Sequence, residues 1–135
     1  MFKRIFYWGL SAAVLSTVAC IIYDRVYFFA METDYSRLIN AGSLASINLL
    51  SCLLATGGFW LMKKWFGNKA ELIFNLAFTI LSFASIIIPI AATLPLDVAY
   101  PELFPGLAVP MHFFPAMAWY TLRPLFMTEP VPDKQ

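Results

Sequence analysis

Four long runs without a charged residue dominate the chain: 5–23, 38–62, 72–96 and 103–122, of 19, 25, 25 and 20 residues. A helix rises about 1.5 Å per residue, so roughly 20 largely apolar residues cross the roughly 30 Å of hydrocarbon in a bilayer. The runs take up 89 of 135 residues and leave no room for a separate soluble domain. The expected fold is an all-α membrane protein, a single domain of four transmembrane helices in an antiparallel bundle. Its spans fall at about 5–30, 38–62, 71–94 and 103–122, with a short tail over 123–135. Composition agrees: 61% of residues are hydrophobic and 13% charged, against about half and about a quarter in a soluble domain. A net charge of +1 leaves no basic field for nucleic acid, and the apolar content excludes a disordered chain.

The chain opens on Lys3-Arg4 before an apolar stretch, which also describes a signal peptide. Thr17-Val18-Ala19-Cys20 is similar to a lipobox, but Thr17 stands where a Leu-like residue is usual, and apolar residues continue through Ile21, Ile22, Val26, Tyr27, Phe28 and Phe29. The first span is therefore expected to be retained.

Lys and Arg accumulate in short cytoplasmic segments. With four spans, Lys3, Arg4, Lys63, Lys64, Lys69, Arg123 and Lys134 share one side with three acidic residues, whereas Arg25 and Arg37 share the other with five. Both termini are thus expected on the cytoplasmic side of a cell membrane. Trp8, Trp60, Trp65 and Trp119 near the inner ends, and Tyr23, Tyr27 and Tyr100 near the outer ends, read as interfacial belts. Between spans two and three, Gly67 is available to end one helix and Asn68 to cap the next, with Glu71 three residues on. Pro95, Pro101 and Pro105 favour an extended or turning second outer connection.

Chemistry in such a chain depends on polar groups at membrane depth, where no water satisfies them. No Asp, Glu, Lys or Arg lies inside a run, which removes the usual proton relays and ion-coupled carboxylates. Cys20 and Cys52 are not a CxxC, and their depths differ by roughly 9 Å, which disfavours a disulfide. A single histidine without a thiolate or carboxylate cluster supports neither a metal nor a haem site, and no cofactor is called for.

That histidine, His112, lies at the centre of the fourth run, expected as a neutral imidazole. Pro110 and Pro115 lack amide hydrogens and so free the carbonyls of Gly106 and Met111, which predicts a proline-kinked helix around it. Helical spacing aligns Asn75, Thr79, Ser82 and Ile86 with Ser85 beside them, Ala41, Ala45, Asn48, Cys52 and Ala55 on the second span, and Gly9, Ala13, Ser16 and Cys20 on the first. Small faces of this kind pack any membrane bundle and can also serve self-association. At matching depth Ser82, Ser51 and Asn48 are the expected partners of His112. With Met111 they form the candidate ligand-binding set, His112 serving either a ligand or interhelical bonding.

The basic start, Gly9-Leu-Ser-Ala-Ala13, the basic turn after span two, the close of span three from Ser82 to Pro89 and the Met111-His112 pair carry a resemblance over nearly the whole chain. The layout resembles a family of small bacterial four-span membrane proteins of unknown function. The resemblance implies Met111-His112 as the signature to test; the expected location is a bacterial inner membrane.

The leading expectation is a non-enzymatic accessory or interaction subunit, partnered by membrane lipids and by other membrane subunits or copies of itself. The second is a small-molecule or lipid-binding protein or transporter with its site around His112, which requires a cavity at that depth. A membrane enzyme using His112 as a base comes last, because no nucleophile or second acid stands out.

Overall fold

The computed structural model describes residues 1–127. Helix α1 spans Phe2–Met31, α2 Ala41–Phe66, α3 Ala70–Ser85, α4 Ile87–Ala91 and α5 Phe104–Phe126, with 3-10 turns at Gly67–Lys69 and Pro101–Leu103. The described residues contain no strand. Two stretches are long and apolar enough to cross a membrane: Phe2–Met31, and Ala41–Ala91, which joins α2 to α4. Helix α5 has 23 residues but is less apolar, because His112, its prolines, Trp119 and Tyr120 lower its mean hydropathy.

Local chemistry explains the boundaries. Helix α2 opens on a reciprocal cap: the Asn40 side chain accepts from the Ser43 amide at 2.9 Å, and Ser43 Oγ accepts from the Asn40 amide at 3.1 Å. It closes on Gly67 at φ 54°, a conformation that strains residues with a Cβ. The expected Asn68 cap is not formed. A 3-10 turn carries the chain to Ala70, and α3 starts without a side-chain cap. Glu71 instead takes a two-point ion pair from Arg123 of α5, because a guanidinium offers a carboxylate stronger donors than a neutral amide does. Helix α3 stops at Ser85 because Pro89 has no N–H for the Ser85 carbonyl; the chain turns at Ile86 before α4. The supposed tail from 123 begins as helix, since α5 continues to Phe126, and residues 128–135, including Lys134, lie outside the described residues.

Helix α1 lies antiparallel to both α2 and α5, since Trp8 meets Phe59 and Trp119 whereas Cys20 meets Asn48 and Tyr23 reaches Gly106. At the end holding the Gly67–Lys69 turn, Trp8 and Trp119 stack at 4.0 Å between ring centres, and Phe59 and Phe74 pack against them. Two of the expected belt tryptophans are therefore core residues, both essentially inaccessible, whereas Trp60 and Trp65 stay exposed. In the middle, Gly9, Ala13, Ser16 and Cys20 are buried where α1 meets α2, and Ser16 Oγ donates to Asn48 Oδ1 at 2.5 Å. The α2 stripe departs from expectation at its start. Ala41 and Ala45 are exposed and Leu44 takes the buried place, because the row that meets α1 runs Leu44, Asn48, Cys52, Thr56.

At the opposite end tyrosines tie α1 and its connection to α5. Tyr23 Oη donates to the Gly106 carbonyl at 2.8 Å, Tyr27 Oη to Leu103 at 2.6 Å and Tyr35 Oη to Tyr100 at 2.6 Å. In the same connection the Ser36 amide donates to the Asp34 carboxylate at 2.8 Å and holds that carboxyl below its usual range. Gly106 is the carbonyl that Pro110 frees, so the missing helix bond is replaced by a tyrosine hydroxyl. Tyr23→Phe is expected to cost about 1 kcal/mol. The loss should shrink in a Pro110→Ala background, where the Gly106 carbonyl regains an amide donor, as unfolding in mixed detergent micelles would measure.

Candidate functional site

The middle of the molecule holds an open groove. Helices α2 and α3 leave a tight turn together and are closed at that end by Phe59, Phe74 and Trp119. Farther along, facing positions carry small residues, among them Ser51, Ala55, Ala77, Ser82 and Ala108, which cannot fill the space between α2, α3 and α5. The result is a cavity of about 870 Å³, within the size range of small-molecule sites. On α2 its wall runs from Ser43 to Met62, about 28 Å at the helical rise. Ile47, Leu54, Leu81 and Ile88 line it and are also each about two-thirds exposed, so it opens sideways between α2 and the α3–α4 pair.

Its wall contains no Asp, Glu, Lys or Arg. The polar groups are Ser43, Asn48, Ser51, Ser82, Ser85 and His112, with the Cys20 thiol and the thioethers of Met62 and Met111 beside them, and the rest of the lining is hydrocarbon, glycine or proline. All five sequence candidates, His112, Met111, Ser82, Ser51 and Asn48, line this one space.

The bonding within the set differs from expectation. The partner of His112 is Ser85, with Nδ1 and Oγ 3.1 Å apart. Ser82 turns its hydroxyl back to the Phe78 carbonyl at 2.9 Å, as serines in apolar helices commonly do. Asn48 is committed to α1 and to its own helix: Oδ1 accepts from Ser16, and Nδ2 donates to the Leu44 carbonyl at 2.8 Å and to Cys20 Sγ at 3.6 Å. Its amide is used where the helices cross, so it contributes surface to the cavity and no spare N–H donor. Cys20 and Cys52 are buried free thiols. Ser85, which sequence reasoning set beside the stripe, had a signal in its position three residues after Ser82 and four before Pro89, at the helix break.

Chemically the arrangement suits an elongated uncharged molecule. A charged group would leave water for a wall with no counter-charge, at a cost of several kcal/mol or more. The one nitrogen without a protein partner among the described residues' bonds to this ring is Nε2 of His112. No family model, curated protein or solved structure matches the chain.

Proposed function

We propose that the chain is a four-span antiparallel bundle of the cell membrane, its fourth span kinked at the prolines and both termini cytoplasmic, that binds an apolar small molecule or lipid drawn from the bilayer. The observation that carries this reading is the uncharged, laterally open cavity around His112. The asymmetry of basic residues supports the orientation. The reading also accommodates the resemblance to small bacterial four-span proteins, since Met111 and His112 both face the cavity.

An accessory subunit held only by helix packing has no need of a groove lined by small and polar residues around His112, so the binding reading takes precedence over it. A Ser–His hydrolase is disfavoured by the proton's direction. Ser85 Oγ donates to the Ser82 carbonyl at 2.7 Å, whereas a nucleophile activated by His112 would have to donate to the imidazole.

Binding is tested by native mass spectrometry of protein released from lipid nanodiscs. The expected spectrum shows one retained lipid-sized adduct per chain, and Ser51→Trp, which places a large ring in the cavity, loses it. Equal retention by both proteins, or no adduct on either, would sink the reading.

A further inference from the structure

The hydrogen-bond directions around His112 specify more than an apolar ligand. A serine hydroxyl has one proton, and that of Ser85 is given to the Ser82 carbonyl at 2.7 Å. Toward His112, 3.1 Å away, Ser85 Oγ can then only accept. With the hydroxyl committed to the shorter contact, the proton of the neutral ring is assigned to Nδ1, which leaves Nε2 as a bare lone pair. No protein donor among the described residues bonds to it, and His112 lines the cavity about half-buried. A carbonyl, ether or ester oxygen set against this nitrogen would meet lone pair with lone pair; a hydroxyl would donate to it.

We infer that the cavity takes a neutral lipid bearing a free hydroxyl, donated to Nε2 of His112, with hydrocarbon filling the groove along α2. This rests on the binding reading above and narrows it to a chemical class. The same chemistry is offered by a single-chain alcohol and by a diacylglycerol, and the length of the groove admits either as a chain laid along the helix. The absence of any charged side chain from the wall disfavours ionised fatty acids and phospholipid headgroups at the polar position.

The chain contains one histidine, so protein made without a histidine tag and labelled with ¹⁵N-histidine gives the signals of one ring. In nanodiscs, Nδ1 is expected protonated and Nε2 unprotonated, and 1-hexadecanol is expected to shift the Nε2 signal in the direction of an accepted hydrogen bond. Competition binding then compares 1-hexadecanol, 1,2-dioleoylglycerol and hexadecyl methyl ether. At least one alcohol should bind about five- to tenfold more tightly than the ether, and the tighter of the two identifies the source. His112→Phe should abolish that discrimination. Ser85→Ala, which frees the ring to adopt the other tautomer, should narrow it even if the first variant folds poorly.

An ether that binds as well as both alcohols would overturn the hydroxyl assignment and leave the cavity reading standing. So would a ring protonated on Nε2, or discrimination that survives in His112→Phe. If none of the three probes binds, both the assignment and the binding reading fall.

Discussion

Trp119→Ala is expected to lower stability by about 3–5 kcal/mol, which unfolding in mixed micelles would report. Trp119 is fully buried, stacked on Trp8 and enclosed by Phe59, Phe74 and Phe78. Its removal opens a void where four helices meet. In a bilayer the tight fit is what remains to hold helices together, because lipid tails are as apolar as the core. Trp119→Phe should recover most of the loss, since Trp119 Nε1 is buried without an acceptor and its removal breaks no hydrogen bond. Trp8→Phe should cost more than Trp119→Phe, because Trp8 Nε1 donates to the Trp119 carbonyl at 2.8 Å. Equal costs for the two phenylalanine variants would show that this hydrogen bond adds nothing to the packing.

Gly9→Val is the second large effect, an expected loss of about 2–3 kcal/mol from overpacking. A Cβ on Gly9 would stand 1.9 Å from Thr56 Oγ1 and 3.2 Å from the Cys52 carbonyl oxygen. Thr56 cannot swing away freely, since its hydroxyl donates to that same carbonyl at 2.7 Å. The α1–α2 contact must therefore open. Gly9→Ala should be milder, and Thr56→Ala should rescue most of the alanine defect because it removes the atom in nearest conflict. If the two alanine changes are simply additive, the close approach at Gly9 is not the source of the loss.

Much of this arrangement was legible in the residues. The uncharged runs marked the long helices, since charge is the one property lipid does not accommodate cheaply, and the buried Gly9, Ala13, Ser16, Cys20 face of α1 followed from 3.6-residue spacing. The freed Gly106 carbonyl was visible in Pro110, although its donor, Tyr23, is 83 residues away in sequence and had no local signal. Other features depended on competition that sequence does not rank. Glu71 suits an N-terminal cap, and only the nearness of the last turn of α5 shows that Arg123 takes it. Trp8 and Trp119 look like interfacial anchors until the helices are placed, when two belt positions prove to face each other.

The candidate site was legible as a set and obscure in its bonding. His112 stood out as the only imidazole at its depth, and the small polar residues of α2 and α3 followed from periodicity. Which of them it touches is settled at the end of α3, where Ser82 bonds back to the Phe78 carbonyl and Ser85, the last residue of the helix, meets the ring. The cavity itself had no linear signature. It arises because small residues on three helices face one another beyond an aromatic plug, a coincidence of depth that no single run reveals.

The central claim, that lipid enters the space between α2, α3 and α5, is tested most directly by photolabelling in nanodiscs with a diazirine-bearing sixteen-carbon alcohol, followed by peptide mapping. The account predicts label concentrated on cavity residues such as Ser51, Ala77 and Ala108, lost on addition of excess 1-hexadecanol and lost in Ser51→Trp. Label spread evenly over outward-facing positions of α1 such as Val14, Val18 and Ile22, unaffected by competitor, would contradict it.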